Sequence, residues 1–443
     1  MGRENIQNGQ LQAIVVNSKI ANVATGQTGI EDARNMCRWT GEALGIVAEL
    51  VLASSSGVLG FSWLGINLGI KDQTLDFGVI ASECKCTAAG VFTRNNFPGA
   101  PVTVGRENIQ DGQLQAIVVN SKIANVATGQ TGIEDARKMC RWTGEALGID
   151  AELVLPSSTG VIGRRLPVKK IHEGCKIIPE KLGSTPEYID NFARAIMTTD
   201  THPKWCSASI ENSTLLGVAK GAGMIEPNMA TMLSFFVTDA KLSSDQLQTI
   251  LRSVVNQSFN RISIDSDTST SDTVIILANG LAGPVDAQQF EKAFSNSAMQ
   301  LAKEIARDGE GATKLIELKV SGAESQQMAL QIGKSIINSP LVKTAVHGAD
   351  PNWGRFVMAV GKVFEYPVKL DDLLIHFGRG SQRLSVNVES LDAGRVNLDA
   401  ISKLLQDQEV YLEVVVGEGL YSETVWGCDL TKGYIEENAF YTT

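Results

Sequence analysis

The stretch Lys220–Ala240 reads KGAGMIEPNMATMLSFFVTDA and contains a possible self-cleavage site. Its mostly apolar run, Met232–Val237, predicts a buried strand. Directly before it stand a small residue, Ala230, and a hydroxyl residue, Thr231. The Thr231 hydroxyl could attack the Ala230 carbonyl carbon, and hydrolysis of the ester would leave Thr231 as a new N-terminus. A terminal amine with a pKa of about 7.7–8.0 can activate its own hydroxyl as a nucleophile. The alternative is a threonine at a strand edge with no chemical role.

The string KGAGMIEPNMATML resembles the processing motif of the bifunctional ornithine acetyltransferase/glutamate N-acetyltransferase family of arginine biosynthesis. The resemblance extends from about Gly60 to Thr443 and includes CTAAGVFTRNNFPGAPV at Cys86–Val102. It implies an α/β, self-processing N-terminal-nucleophile-like fold, with layered sheets flanked by helices and a smaller C-terminal subdomain. It also implies cleavage into an α chain, residues 61–230, and a β chain, residues 231–443.

Composition is compatible with an ordinary soluble enzyme and by itself says no more than that. The chain has 443 residues, 43% of them hydrophobic, and a net charge of −10 with acids and bases mixed, which argues against nucleic acid as a partner. No apolar run reaches the roughly 20 residues of a membrane span. Seven Cys and four His follow no metal or disulfide spacing. We therefore expect a reducing compartment, the cytoplasm, or the mitochondrial matrix if the source is eukaryotic.

The N-terminus contains a partial repeat. Gly2–Gly60 and Gly105–Gly163 are nearly the same sequence, offset by 103 positions. Two close copies separated by unrelated sequence indicate a recent partial duplication or an error in assembling the gene, because solenoid repeats come as three or more units. We interpret residues 1–60 as the redundant copy. Its strand at Gln12–Asn17 is expected to lack the partners of its twin, Gln115–Asn120.

Hydrophobic periodicity and capping residues predict the main helices of the chain. These are Ile133–Leu147, Tyr188–Met197, Ser243–Ser258 and Asp286–Arg307. Together with the short apolar runs between them, they predict an α/β order of elements.

Thr159 and Gly160, in SSTGVIGRRLP, resemble the oxyanion-hole motif of the family. Acyl transfer passes through a tetrahedral oxyanion, and loss of one donor to that oxygen typically costs about 10²–10³ in rate. The alternative interpretation is an ordinary turn between a strand and a loop.

Thr198 and Thr199, in MTTDT, and Lys220 match positions that contact substrate in the family. A lysine ammonium suits the carboxylate of an amino-acid substrate. Gly221 and Gly223 would let the backbone approach a ligand closely. The alternative for Lys220 is a solvated surface lysine.

Glu310, in RDGEGATK, matches the family acid that faces the substrate amine, although it could equally be an acid in a loop that ends a helix. The terminal string NAFYTT resembles the final family motif, in which Asn438 and Thr443 would contact substrate. Because chain ends usually fray, this role requires a docked C-terminus.

One loop departs from the family pattern. The family usually has NSGNAN where Asn120–Asn125 reads NSKIAN. Lys122 thus stands in place of a glycine that could require a positive φ angle. This substitution bears on the local backbone and on substrate choice.

The resemblance implies a ping-pong reaction without metal or cofactor. Thr231 would take the acetyl group from N-acetylornithine and pass it to glutamate, in a heterotetramer of two α and two β chains. Acetyl-CoA is a second candidate for the acetyl donor. Two different functions stay open at this point. One is a self-processing amidohydrolase or aminopeptidase, in which water replaces glutamate, and the other is an unprocessed, inactive homologue.

Overall fold

The computed structural model describes the backbone of residues 13–17 and 51–55, and residues 57–226 and 232–440 in full. The strands, in chain order, are β1 Ala13–Asn17, β2 Val51–Ser55, β3 Phe61–Ile66, β4 Phe77–Phe92, β5 Gln113–Asn120, β6 Val154–Ser158, β7 Lys204–Ile210, β8 Ser213–Lys220, β9 Leu233–Lys241, β10 Ile262–Ser263, β11 Thr273–Pro284, β12 Leu315–Ala323, β13 Leu374–Phe377, β14 Leu384–Val386, β15 Glu409–Val415 and β16 Tyr421–Cys428. The helices are α1 Ala100–Asn108, α2 Gly129–Leu147, α3 Val168–Lys176, α4 Ile178–Lys181, α5 Pro186–Ile196, α6 Ser244–Gln257, α7 Ala287–Arg307, α8 Gln326–Ile337, α9 Pro340–His347, α10 Gly354–Gly361, α11 Val388–Asp392, α12 Leu398–Leu404 and α13 Lys432–Phe440.

The larger sheet is built around β9. Strands β6, β5, β4, β11, β9, β8 and β7 lie side by side in that order, and β3 pairs with β4. β9 is antiparallel to β8 and parallel to β11. All its residues are buried except Lys241, as expected for a strand covered on both faces. The predicted buried strand is confirmed, and it continues beyond Val237.

The two faces of β9 pack on different helices. Phe235 lies with its ring centroid 6.0 Å from that of Phe192 on α5. Phe236 points the other way, with its centroid 4.6 Å from that of Phe294 on α7. Side chains alternate across a strand, so one sheet can carry helices on both sides. The predicted α/β arrangement of sheets and flanking helices is confirmed.

The second sheet forms the smaller C-terminal subdomain. Its strand order is β10-β16-β12-β15-β13-β14. Its core is shared with α8, α9, α10 and α12, and includes Ile332, Phe356 and Phe377. β10 follows α6 in the chain and pairs in parallel with β16, so it joins this sheet to the first part of the fold.

The four predicted helices are all present as α2, α5, α6 and α7. Ser243 caps α6, where its hydroxyl accepts a hydrogen bond from the Gln246 N–H at 3.4 Å. Asp286 caps α7 in the same way through the Gln289 N–H, at 2.8 Å. These side chains satisfy amide donors that the first helical turn leaves unpaired.

The described backbone of the first copy repeats a pairing of the second. β1 and β2 form a two-stranded parallel sheet in which Ala13 lies opposite Val51. Their equivalents 103 positions later, Ala116 and Val154, pair in the same register in β5 and β6. The expectation that the strand at Gln12–Asn17 lacks the partners of its twin is therefore wrong for one of the two partners. Within the described residues, β1 has the equivalent of β6 but pairs with no equivalent of β4. Both strands of this pair belong to the repeated segment, so the pairing comes with it.

Candidate active site

A cavity of about 130 Å³ lies where β6 and β8 end and β9 begins. Predicted site residues from five separate stretches of the chain line it, namely Thr159, Gly160, Thr198, Thr199, Lys220, Glu310 and Asn438. Met232 also lines the cavity. The remaining predicted residues, Ala230, Thr231 and Thr443, lie outside the described residues.

Thr159 and Gly160 follow the last residue of β6. Gly160 has a φ of +126°, and a Cβ there would lie 2.2 Å from the carbonyl carbon of Lys122. Only glycine fits this position, because both the backbone angle and the space exclude a side chain. The close approach of the two loops holds the Thr159–Gly160 backbone in place at the cavity.

The loop that packs against Gly160 is the one that departs from the family pattern. Lys122 has a φ of +77°, so the expectation that this position needs a positive φ is confirmed. Its carbonyl accepts a hydrogen bond from the Val161 N–H at 2.9 Å. The left-handed conformation is unfavourable for a residue with a Cβ. The loop therefore holds Lys122 in a conformation that costs local strain.

Lys220 is the last residue of β8 and its ammonium group is buried. Its Nζ donates hydrogen bonds to the hydroxyls of Thr198, at 2.8 Å, and Thr159, at 3.4 Å. Because Thr159 Oγ1 accepts from Lys220, its own proton is left to donate to another acceptor. Burial lowers the pKa of Lys220, and the nearby carboxylate of Asp200, 3.9 Å away, opposes that shift.

Asp200 lies behind the cavity wall, with a fully buried side chain. It accepts hydrogen bonds from the backbone N–H groups of Thr198, at 3.0 Å, and Gly221, at 2.7 Å. Lys204 Nζ donates to it at 2.8 Å. Burial alone would raise the pKa of Asp200, but the ammonium groups of Lys220 and Lys204 hold it below its ordinary value. The carboxylate is therefore charged and fully surrounded by donors.

Glu310 presents the acidic group of the cavity. Its carboxylate accepts hydrogen bonds from Thr199 Oγ1, at 2.8 Å, and Asn438 Nδ2, at 2.6 Å. Its backbone N–H donates to the Ala222 carbonyl at 2.7 Å. A Cβ at Gly223 would lie 2.3 Å from the Glu310 carboxyl, so a side chain there would displace the carboxylate from this position. Asn438 belongs to α13, so this helix near the C-terminus is docked at the cavity.

The segment before the predicted cleavage point is held by an acidic loop. Asp265 accepts hydrogen bonds from the N–H groups of Met224, at 2.6 Å, and Ile225, at 2.7 Å. The Glu226 N–H donates to the Asp267 carbonyl at 3.0 Å. Burial raises the pKa of Asp265, and these backbone hydrogen bonds oppose the rise. We call Asp265–Asp267 the acidic clamp.

Sequence reasoning missed Asp200 and Asp265. Asp200 stands inside the MTTDT string, where only the two threonines matched substrate positions. A signal for Asp265 was the density of acids and hydroxyls in SIDSDTSTSD. Neither pattern says which backbone groups the carboxylates meet, because Gly221 is 21 positions from Asp200 and Met224 is 41 positions from Asp265.

The described part of the chain has few other chemical features of note. In it, no group of three or more His, Cys, Asp or Glu could hold a metal ion. Its cysteines are free thiols, all buried except the half-buried Cys84. None of its helices is long and apolar enough to cross a membrane.

Comparison with known proteins agrees with the sequence resemblance. The sequence profile of the ArgJ family matches residues 62–443 and, separately, residues 1–64. The chain is 48% identical to arginine biosynthesis bifunctional protein ArgJ 2 of a Nostoc species, over 88% of this chain and all of that one. It is 48% identical to ArgJ 2 of Clostridium acetobutylicum, over 86% of this chain and 97% of that one. It is also 46% identical to glutamate N-acetyltransferase Oat2 of Streptomyces clavuligerus, over 85% of this chain and 95% of that one. The chain therefore belongs to the ArgJ family of arginine biosynthesis and is an acyltransferase.

Proposed function

We propose that this chain cleaves itself between Ala230 and Thr231, and that Thr231 then carries an acetyl group from N-acetylornithine to glutamate. The observation behind the proposal is the cavity itself. It gathers hydroxyl, ammonium and carboxylate groups, and its wall includes Met232, the residue bonded to Thr231. The names of the relatives, which include a glutamate N-acetyltransferase, support acetyl transfer to glutamate.

The proposed cleavage is an acyl shift followed by hydrolysis. The Thr231 oxygen attacks the Ala230 carbonyl carbon, the peptide C–N bond breaks, and the nitrogen takes up a proton to become the Thr231 amine. Water then hydrolyses the ester, which leaves a carboxylate on Ala230 and a hydroxyl on Thr231. The acidic clamp supports this step, because it restrains the segment that leads to the cleavage point.

In the first half of the transfer, the Thr231 amine takes the proton of its own hydroxyl as the oxygen attacks the acetyl carbonyl of N-acetylornithine. The Thr159 hydroxyl and the Gly160 N–H donate to the resulting oxyanion. The C–N bond between the acetyl carbon and the ornithine nitrogen then breaks. The ornithine nitrogen takes the proton held by the Thr231 amine, and ornithine leaves. In the second half, the glutamate amine attacks the acetyl ester and Thr231 regains its proton.

Charge at the two sides of the cavity fits amino-acid substrates. The Lys220 ammonium suits a substrate carboxylate, and the Glu310 carboxylate suits an ammonium group. Both are already held by hydrogen bonds, Lys220 to Thr198 and Glu310 to Thr199. Such preorganised groups orient a substrate without having to reorganise when it binds. We assign Asn438 and Thr443 to substrate contact as part of the same proposal.

The test combines fragment analysis with an assay of transfer. We expect purified protein to give two fragments, the second beginning Thr-Met-Leu. Without glutamate it should release at most one equivalent of ornithine per site from N-acetylornithine, and continued release should require glutamate. Thr231→Ala should leave one uncut, inactive chain, whereas Thr231→Ser keeps a hydroxyl and should still be cut. Thr249→Ala, at an exposed threonine of α6, is the matched control and should behave as wild type. An uncut but active Thr231→Ala protein would overturn the proposal.

The same assay separates acetyl transfer to glutamate from the related reactions. Release of ornithine and acetate without glutamate would indicate an amidohydrolase. Formation of N-acetylglutamate from acetyl-CoA would show the second donor that the sequence leaves open. We also propose a heterotetramer of two α and two β chains in the cytoplasm, to be tested by native mass and cell fractionation.

A further inference from the structure

We propose that Asp200 is a positioning residue of the acetyl-transfer site, which holds the Thr198 backbone, the Gly221 backbone and the charge of Lys220 in one arrangement. The inference rests on the proposed function for its kinetic consequence only. Asp200 is not among the residues that line the cavity, so it acts through its neighbours.

The hydrogen bonds of Asp200 join two separate parts of the cavity wall. One oxygen accepts from Gly221 N–H and from Lys204 Nζ, and the other accepts from Thr198 N–H. Thr198 precedes β7 and Gly221 follows β8, so the carboxylate ties together the loops at the same end of this hairpin. Lys220 directly precedes Gly221 at the end of β8, and the Thr198 hydroxyl accepts one of its hydrogen bonds.

A second carboxylate extends the network towards Glu310. Lys204 Nζ lies 2.8 Å from Asp200 Oδ1 and 2.5 Å from Asp308 Oδ2. The ammonium group and the two carboxylates are all buried. Asp308 also accepts a hydrogen bond from the Thr201 N–H at 3.0 Å. Asp308 is two residues before Glu310 in the chain. The network thus reaches both the basic and the acidic side of the cavity.

Charges balance in this network only if Asp200 is ionised. Asp200 and Asp308 supply two negative charges, and Lys204 and Lys220 supply two positive ones. The other charged groups that act on Lys220 are the carboxylates of Glu310 and Asp272 and the ammonium of Lys71. A buried ammonium without its counter-charge loses its proton more readily. Removal of the Asp200 charge should therefore make Lys220 neutral at a lower pH.

The substitution Asp200→Asn removes the negative charge of this side chain and leaves the shape of the side chain nearly unchanged. We expect kcat/KM for N-acetylornithine to fall about 10–100-fold, and the alkaline limb of its pH profile to move to lower pH. Asp200→Glu restores the charge and should return the limb towards its wild-type position. Asp392→Asn, at an exposed aspartate of α11, is the matched control.

The substitution Lys204→Gln should move the pH profile in the opposite direction to Asp200→Asn. Lys204 lowers the pKa of Lys220, so its removal should move the alkaline limb to higher pH. Shifts of the limb in the same direction for Asp200→Asn and Lys204→Gln would overturn the proposal, because loosened packing alone would explain both.

A measurement on Lys220 itself does not depend on the proposed reaction. Reductive methylation labels only neutral amines, so mass spectrometry across a pH series gives the midpoint at which Lys220 loses its proton. We expect this midpoint to be lower in Asp200→Asn than in wild type and Asp392→Asn. An unchanged midpoint would overturn the inference. If wild type showed no acetyl transfer but the midpoint shifted, the proposed function would fail and the link between Asp200 and Lys220 would stand.

Discussion

Thr159 illustrates how a single hydroxyl is oriented by its neighbours. Lys220 donates to its oxygen at 3.4 Å, so the Thr159 proton is available to a different acceptor at the cavity. In the proposed reaction that acceptor is the oxyanion of the tetrahedral intermediate. A hydrogen-bond donor that is engaged only in the transition state has a large effect on kcat and a small effect on substrate binding.

The first prediction concerns this hydroxyl. Thr159→Ala should lower kcat by about 10²-fold with little change in KM, because it removes one oxyanion donor. Thr159→Ser keeps the hydroxyl and should retain most of the activity. Steady-state kinetics with N-acetylornithine and glutamate give the comparison. If KM alone rises, Thr159 contacts the substrate in its ground state instead.

A second residue-scale prediction concerns strain at Lys122. Lys122→Gly should stabilise the protein by about 0.5–1 kcal/mol, because relief of the left-handed conformation exceeds the entropic cost of glycine. The midpoint of thermal unfolding should rise accordingly. Lys292→Gly, at an exposed lysine inside α7, is the matched control and should lower the stability by about 1 kcal/mol. A lower midpoint for Lys122→Gly would show that the lysine side chain makes a compensating contribution.

At the scale of elements, the acidic clamp connects the loop before β11 to the segment that follows β8. The Asp265 carboxylate accepts hydrogen bonds from two backbone N–H groups of that segment, those of Met224 and Ile225. The Glu226 side chain is held as well, by the Ser263 hydroxyl at 3.1 Å. Three consecutive residues are thus fixed, and the last of them stands four positions before Ala230.

The third prediction follows from this clamp. Asp265→Ala should slow self-cleavage about 10-fold or more, because the segment loses the two backbone hydrogen bonds that hold Met224 and Ile225 in place. A time course of freshly synthesised protein on a denaturing gel measures the rate. Asp267→Ala leaves the backbone contact of Asp267 in place and should cleave at the wild-type rate. Equal rates for the two variants would show that the clamp does not position the segment.

At the scale of the whole molecule, the two repeated segments contain the same strand pair, but only the second pair belongs to the larger sheet. β5 and β6 are at one side of the larger sheet, where β5 also pairs with β4. Strands β1 and β2 repeat the β5–β6 register but form a separate two-stranded sheet within the described residues. Two strands alone are marginally stable at best in water. The family profile matches residues 62–443 in one piece, so the first copy is not needed to complete it.

The fourth prediction is that residues 1–56 are dispensable. Deletion of this segment should leave cleavage and transfer unchanged. It should also preserve or improve soluble yield, because unpaired edges of a two-stranded sheet invite aggregation. The boundary spares Val58, which is buried, and Leu59, whose N–H donates to Asp239 at 3.2 Å. Deletion of residues 105–163 is the control and should abolish both activities. Loss of both activities in the shorter protein would make the first copy a structural part.

The sequence by itself determined the central strand, the main helices and seven of the residues that line the cavity. An apolar run such as Met232–Val237 and the spacing in α6 report burial directly, because each depends only on neighbouring residues. The family strings around Thr159, Lys220 and Glu310 were sufficient to predict residues that the structure brings together.

Only the tertiary structure decided how these residues are held. Asp200 contacts Gly221 across a strand hairpin, and Lys204 reaches Asp308 from 104 positions away. Asn438 arrives at Glu310 because α13 docks there. Contacts of this kind depend on how the sheet and helices pack, and no local pattern encodes them. The sequence therefore determines which chemical groups are present, and packing of distant segments determines their charge, orientation and mutual distance.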